Sequence, residues 1–217
     1  MITLQDVWKR FPRGPLVAHG ISAVFPAGQA TALMGRNGAG KSSLLAMLAG
    51  TLRPDGGRVV RSGTVSWPVG FAGAFHPDLT GAQNTRFVAR VYGVDSGGLL
   101  AFVRAVSGLG AAMRQPVRRY SSGMRARLGF AISMGIPFDM YLVDEVTAVG
   151  DAAFRRETAQ LLKARLGQAG AIVVSHAPAQ LRAVCTAGAV LQDGRLRMFD
   201  DLEEAIAVYE AGVRSVA

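Results

Sequence analysis

The chain has 217 residues, enough for one sizeable hydrophobic core and short of two full domains. Half of the residues are hydrophobic and 18% are charged, a composition that excludes a disordered chain and is typical of a globular fold. The net charge is +9 at pH 7, with the basic residues scattered along the chain. We interpret this charge as general richness in arginine; a nucleic-acid partner or an anionic lipid surface is the alternative.

The sequence carries no sign of a membrane span or an export signal. No apolar run approaches the roughly 18 residues that a membrane-spanning helix needs, and the amino terminus lacks the pattern of a signal peptide. The single cysteine, Cys185, cannot form an intramolecular disulfide, which agrees with a reducing compartment. These features predict a cytoplasmic protein.

The amino-terminal part predicts two strands, a helix and a turn. The first ten residues form a strand, with Ile2 and Leu4 as apolar positions, that ends in a polar turn. Residues 28–34 predict a buried strand, followed by a glycine-rich loop and an apolar helix over Lys41–Ala49. Residues 53–57 (Arg-Pro-Asp-Gly-Gly) predict a turn whose flanking runs pair as a hairpin.

The rest of the chain alternates between helices and apolar strands. Helical spacing of apolar residues predicts that residues 82–134 are mostly helical. Strands at residues 140–143 and 171–174, a helix at about residues 152–166 and a short helix follow. The chain then has a hairpin that turns at Asp193-Gly194 and a helix from about Leu202.

This alternation predicts an α/β fold with a parallel sheet covered on both faces. Residues 75–136 are predicted to form a helical lobe. It is inserted into a sheet domain made of residues 1–74 and 137–217, so that residues 1–217 form a single domain.

The strongest local signal matches the phosphate-binding pattern G-x-x-x-x-G-K-[ST], and its residues are Gly35, Arg36, Asn37, Gly38, Ala39, Gly40, Lys41 and Ser42. Glycines let backbone N–H groups face a phosphate, and the N-terminus of the following helix adds a favourable dipole. The pattern predicts that Lys41 reaches the β- and γ-phosphates of a nucleotide and that the Ser42 hydroxyl ligates Mg²⁺. Ser43 completes the predicted nucleotide-binding segment.

An acidic partner for the metal follows about a hundred residues later. The apolar strand at residues 140–143 delivers Asp144 and Glu145 at its carboxyl end. We predict that Asp144 holds Mg²⁺ through water and that Glu145 orients and deprotonates the attacking water. An apolar run that ends in Asp-Glu is by itself a weak signal for a metal site. The preceding phosphate loop makes the metal-site interpretation stronger.

A segment of small residues, Ser121-Ser122-Gly123, precedes a predicted helix over residues 125–134. The N-terminus of that helix is a second candidate anion site, while an ordinary helix cap is the alternative interpretation. Two phosphate-binding helix N-termini and one nucleotide suggest a composite site across a dimer.

In chain order, the phosphate loop, the Ser-Ser-Gly segment, the Asp-Glu pair, Asp151 and His176 resemble the ATPases of ABC transporters over nearly the whole chain. The resemblance implies that Ser121–Gly123 contact the γ-phosphate bound by the other subunit of a homodimer. It implies that Asp151 lies in the loop that crosses the dimer and that His176 contacts the γ-phosphate as a catalytic switch. Lys41 and Glu145 are the other catalytic residues implied.

The same resemblance places Phe11 where the family has an aromatic residue that stacks on adenine, with Trp8 as the competing candidate. Three positions depart from the family pattern. Near Phe71 there is no glutamine at the usual junction of sheet domain and lobe, and Ser122 and Met124 replace the usual glycine and glutamine of the signature.

Within the family, residues 75–84, 120–125, 144–154 and the tail at 193–209 resemble the polysaccharide exporters. The chain stops at Ala217, which matches the short capsular-polysaccharide type that lacks a carbohydrate-binding domain. Exporters of O-antigen and teichoic acid share most of these features.

The resemblance therefore implies a homodimeric ATPase that uses ATP and Mg²⁺ at the cytoplasmic face of the plasma membrane. It drives export of a lipid-linked polysaccharide through a separate membrane-spanning permease, whose cytoplasmic helix docks on residues 71–92; Phe75, Pro77 and Phe87 are the apolar candidates.

A soluble ABC ATPase acting on nucleic acid is the alternative that the net charge supports. We expect no nucleic-acid partner, because such proteins usually carry two cassettes or a long coiled coil. A small-molecule kinase with the same loop is a third alternative, and the Ser-Ser-Gly segment and His176 argue against it.

Overall fold

A computed structural model of the chain describes residues 1–12, 14, 16–69, 75–144, 152–175 and 177–214. The strands of the described residues are β1 (Ile2–Arg10), β2 (Leu16–Phe25), β3 (Ala30–Met34), β4 (Gly56–Arg61), β5 (Val65–Pro68), β6 (Met140–Asp144), β7 (Gly170–Val174), β8 (Ala187–Gln192) and β9 (Arg195–Phe199). Its α-helices are α1 (Lys41–Ala49), α2 (Gly81–Val91), α3 (Ser96–Ser107), α4 (Ser122–Gly135), α5 (Ala152–Leu166), α6 (Pro178–Val184) and α7 (Leu202–Arg214). Two short 3₁₀ helices, Gly110–Arg114 and Val117–Arg119, precede α4.

The chain divides into two compact units. The sheet unit contains Met1–Pro68, Phe138–Glu145 and Lys163–Ala217, and the helical unit contains Val69–Pro137 and Val146–Leu162. The second unit therefore includes α2, α3, α4 and most of α5.

A six-stranded sheet with the order β5-β6-β7-β3-β8-β9 forms the centre of the sheet unit. All its neighbouring strands are parallel except β8 and β9, which form the predicted hairpin. Every residue of β3 and β7 is buried, as expected for central strands covered on both faces. The α/β fold is thus confirmed, as are the helix bounds Lys41–Ala49 and the turn at Asp193-Gly194, where both residues have positive φ.

A second, three-stranded antiparallel sheet has the order β2-β1-β4, and the sequence did not reveal it. The predicted hairpin around residues 53–57 is wrong, because the run before the turn is helix α1 and β4 pairs with β1 instead, with Val60 opposite Thr3. Gly50 ends α1 with a φ of 84°, so the chain leaves the helix before the turn and has no strand there to pair with β4.

The hydrophobic core of the sheet unit lies where the two sheets and α1 meet. Ile2 and Leu4 of β1, Phe25 of β2 and Leu44 and Leu48 of α1 belong to one buried cluster with residues of β6, β7 and β8. The core thus holds the loop before α1 between the central sheet and the antiparallel sheet.

Side-chain caps and side-chain hydrogen bonds to the backbone stabilise the helical unit. Thr80 and Gln83 form a reciprocal capping box at the start of α2, and Asp95 caps α3 through the N–H groups of Gly97 and Gly98. The buried Asn84 side chain donates to the carbonyls of His76, Leu79 and Thr80 and so orders the segment before α2. Within the described residues, no helix is both long and apolar enough to cross a membrane.

Asp139 fixes the start of the pairing between β5 and β6. Its Oδ2 atom accepts hydrogen bonds from the backbone N–H of Thr64 at 2.7 Å and from the Thr64 hydroxyl at 2.8 Å. These two bonds, the backbone one first, hold the pKa of the Asp139 carboxyl below its ordinary value.

We predict that Asp139→Asn lowers the free energy of unfolding by about 1 kcal/mol at pH 7, because an exposed, charge-assisted bond is weakened. A carboxyl whose native pKa is depressed stabilises the fold above about pH 4 and loses that effect as the pH falls through its native pKa. The difference from wild type, measured by urea denaturation, should therefore shrink at pH 3. The exposed Asp200→Asn variant is the control, and a pH-independent difference would contradict the charge argument.

Candidate functional site

The loop between β3 and α1 has a backbone that only glycine adopts readily. Gly38 and Gly40 have φ values of 81° and 101°. A Cβ atom on Gly40 would lie 2.5 Å from Val17 Cγ1, and one on Gly35 would lie 2.5 Å from the carbonyl oxygen of Leu191. The loop is therefore curled and closely packed against β2 and β8, and a side chain at either glycine would displace it.

Lys41 begins α1 and crosses back over this loop. Its Nζ atom donates hydrogen bonds to the carbonyl oxygens of Gly35, at 2.6 Å, and Arg36, at 3.1 Å. Among the described residues, no side chain caps the N-terminus of α1 and no acidic residue lies in its first turn. A positive charge and a helix N-terminus thus lie together, an arrangement that favours an anionic ligand.

Ser42 and Asp144 meet although they lie far apart in the sequence. The Ser42 hydroxyl donates to Asp144 Oδ2 at 3.4 Å, and Asp144 is the last residue of β6. The two residues approach because β3 and β6 are parallel strands of one sheet, whose carboxyl ends lie at the same edge. A hydroxyl and a carboxylate oxygen are donors that suit Mg²⁺, which usually binds one or two protein oxygens together with phosphate and water.

A cavity of about 620 Å³ opens at this edge, and it is lined by Phe11, Val17, Asn37, Gly38, Gly40, Lys41, Ser42, Ser43, Asp144 and Val174. Its volume lies in the range usual for small-molecule sites. The polar groups lie on the loop, α1 and β6, whereas Phe11, Val17 and Val174 supply apolar wall. The cavity therefore offers both a phosphate-binding part and an apolar part to a ligand.

Of the two aromatic candidates for base stacking, Phe11 lines this cavity and Trp8 is not among the lining residues. The Trp8 ring instead packs against His19, with ring centroids 4.6 Å apart, and its Nε1 donates to Asp6 Oδ1 at 2.9 Å. Val17 and Val174 could not be identified from the sequence, because a valine in an apolar strand carries no signal for a binding site.

Ser121–Gly123 belong to the helical unit, at the start of α4. Ser121 is the N-cap of α4, and its hydroxyl accepts a hydrogen bond from the Met124 N–H at 3.2 Å. The helix begins at Ser122, three residues earlier than predicted, because this cap closes the first turn. Ser121 and Ser122 are exposed, so the first turn of α4 is accessible to a ligand or a second subunit.

Three predicted site residues, Glu145, Asp151 and His176, lie outside the described residues, as does Phe71. The strands that lead to two of them are neighbours in the sheet. Asp144, which precedes Glu145, pairs with Val174, two residues before His176.

Comparisons with known proteins agree with this geometry. The family profile described as ABC transporter matches residues 18–148. The chain is 39% identical over 97% of its length to the capsule polysaccharide export ATP-binding protein CtrD of Neisseria meningitidis, of which it covers 99%. It is 40% identical to the polysialic acid transport ATP-binding protein KpsT of Escherichia coli, with 97% of this chain and 96% of KpsT covered.

The fold is also similar to a solved structure of the ATP-binding cassette MJ0796, a dimer in a post-hydrolysis state bound to ADP and Pi. The TM-score is 0.79 at 19% sequence identity, and the match covers 93% of this chain and 99% of MJ0796. At this low sequence identity, the match shows that the two proteins share a fold.

We predict that Lys41→Ala removes most of the affinity for MgATP, at least tenfold, because the loop loses its ammonium group. Titration of the folded variant with a fluorescent ATP analogue would measure the loss, and circular dichroism would check the fold. Lys163→Ala is the matched control, since Lys163 is an exposed lysine on α5. Unchanged affinity in folded Lys41→Ala would contradict the assignment of the loop.

Proposed function

This chain belongs to the ABC transporter family and is one of its ATPases, and we propose that it powers export of a lipid-linked capsular polysaccharide through a separate permease. The observation that carries the proposal is the cavity where Lys41, Ser42 and Asp144 converge beside Phe11. The cargo is inferred from relatives of nearly the same length whose names specify capsule polysaccharide and polysialic acid. Exporters of O-antigen or teichoic acid remain the alternative for the polymer.

The cavity suits ATP with Mg²⁺. Lys41 and the N-terminus of α1 would bind the β- and γ-phosphates, and the adenine ring would stack on Phe11. Ser42 and Asp144, whose oxygens lie 3.4 Å apart, would hold the metal directly and through water. Mg²⁺ bound there neutralises charge on the phosphates.

In the proposed reaction Glu145 accepts a proton from the attacking water. The water oxygen bonds to the γ-phosphorus while the bond to the bridging oxygen breaks, so that ADP leaves with that electron pair. His176 donates a hydrogen bond to the γ-phosphate and stabilises its charge in the transition state.

We propose that two copies of the chain complete each other's sites. The N-terminus of α4, with Ser121 and Ser122 exposed, is a candidate anion site that has no phosphate loop of its own. In a homodimer Ser121–Gly123 of one subunit would contact the γ-phosphate held by Gly35–Ser42 of the other. Asp151 would lie in the crossing loop.

The permease is proposed to dock on the helical unit at the cytoplasmic face of the plasma membrane. Helix α2 buries small residues and exposes large ones: Phe87 is 58% and Val91 63% exposed. Exposed apolar side chains grouped on one face are typical of a protein interface. Phe75 and Pro77, in the segment before α2, are the other apolar candidates.

We predict that His176→Ala still binds ATP but hydrolyses it at least tenfold more slowly. One lost transition-state hydrogen bond of about 1.4 kcal/mol has this effect. Phosphate release under saturating MgATP would measure it. The exposed His19, whose ring contacts Trp8, provides the control variant His19→Ala. Wild-type turnover in His176→Ala would contradict a catalytic role for His176.

We predict that Glu145→Gln is largely monomeric without nucleotide and dimeric with MgATP. Glutamine keeps the size of the side chain but cannot accept the proton from water, so the γ-phosphate that both subunits bind persists. Light scattering with and without MgATP would report the change in mass.

Adding Ser121→Arg to Glu145→Gln should prevent this dimer while ATP binding persists, because the bulky side chain enters the partner's phosphate site. Ser62→Arg, at an exposed serine of the sheet unit, is the matched control. If the Ser121→Arg double variant dimerises as well as Glu145→Gln alone, the composite site is wrong.

A further inference from the structure

The exposed face of α2 carries two parallel rows of side chains. Phe87 and Val91 form the apolar row, and Arg86 and Arg90 form a basic row beside it; all four are exposed. Residues four apart lie on the same helix face, about 6 Å apart along the axis. The opposite face buries Gly81, Ala82, Asn84, Thr85 and Ala89. The helix therefore presents its largest side chains to solvent rather than to its own unit.

The part of the chain that contains α2 has many more basic than acidic residues. The segment Val69–Pro137 contains eight arginines, no lysine, no glutamate and two aspartates, Asp78 and Asp95. Asp78 pairs with Arg118 at 2.6 Å, and Asp95 caps α3. Among the residues that the structure describes, no ion pair to Arg86 or Arg90 is found.

We propose that the permease segment that docks on α2 is an acidic amphipathic helix. Its carboxylates lie one turn apart and pair with Arg86 and Arg90, and its apolar side chains cover Phe87 and Val91. The inference rests on the proposed function, since it specifies the chemistry of the docking partner. Arginine is well suited to this role, because its planar guanidinium binds a carboxylate through two parallel hydrogen bonds.

An acidic protein segment fits this face better than an anionic bilayer does. Recognition of anionic lipid by a basic surface typically involves clusters of about four to eight basic residues. The face of α2 has two, spaced like the side chains of a facing helix. An amphipathic helix of the partner would also have a row of apolar side chains beside a row of charged ones. These two rows match the apolar row and the basic row of α2.

The charge-reversal variant Arg86→Glu/Arg90→Glu tests the proposal. Copurification of the variant with the permease at physiological salt should fall at least tenfold, while the basal ATPase rate of the isolated subunit stays at the wild-type value. Arg104→Glu/Arg114→Glu reverses two exposed arginines of the same unit that do not belong to α2, and it should bind the permease normally. Acid-to-arginine substitutions in the cytoplasmic segments of the permease should restore binding to the α2 variant alone.

The other outcomes separate this inference from the proposed function. Loss of the complex in Phe87→Ser/Val91→Ser but not in Arg86→Glu/Arg90→Glu would keep the docking site and overturn its acidic partner. Wild-type binding by both variants would overturn the docking site itself. Absence of any rescuing permease substitution would overturn the ion pairs. Capture of the isolated wild-type subunit, but not Arg86→Glu/Arg90→Glu, by phosphatidylserine vesicles would make the occupant a bilayer.

Discussion

The left-handed backbone at Gly38 and Gly40 is the constraint on which the nucleotide site depends. It lets the loop after β3 curl tightly enough for Lys41 to donate back to the carbonyls of Gly35 and Arg36. Close packing against Val17 and Leu191 leaves no space for a Cβ atom at Gly40 or Gly35. A loop whose shape is fixed by such packing needs little further ordering when it binds a ligand.

The parallel sheet then supplies the rest of the chemistry. Residues Ser42 and Asp144 are 102 positions apart, yet their oxygens lie 3.4 Å from each other, because β3 and β6 end at the same edge of one sheet. The apolar part of the cavity comes from Val17 of β2 and Phe11 just after β1, beside the antiparallel sheet, and from Val174 of β7 in the central sheet. The polar wall of the cavity thus lies on the loop, α1 and β6, and its apolar wall draws on both sheets of the same unit.

In the helical unit, by contrast, the largest side chains of α2 are exposed to solvent. Capping by Thr80 and Gln83 and burial of small residues stabilise the helix without using Phe87 or Val91. Leaving such side chains in water costs free energy that a binding partner can recover. The excess of arginine over acidic residues in Val69–Pro137 adds specificity to that surface, because it disfavours a basic partner.

Much of the phosphate site was predictable from the sequence, because its determinants are local. The glycines and Lys41 of the loop, the helix Lys41–Ala49 and the apolar strand that ends at Asp144 follow from residue type and short-range periodicity. The sequence also assigned Ser42 and Asp144 to the same metal, and the parallel sheet explains why the two residues lie close together.

The pairing of β4 with β1, the choice of Phe11 over Trp8 as cavity wall and the contribution of Val17 and Val174 were decided only by the tertiary structure. The resemblance already named Phe87 as a docking candidate, but the exposure of Val91 one turn later was decided only by the tertiary structure, since helical spacing alone would suit a buried face equally well. Each of these features depends on which distant segment of the chain packs against the residue concerned. Hydrophobic burial is non-directional, so the local sequence does not specify the packing partner.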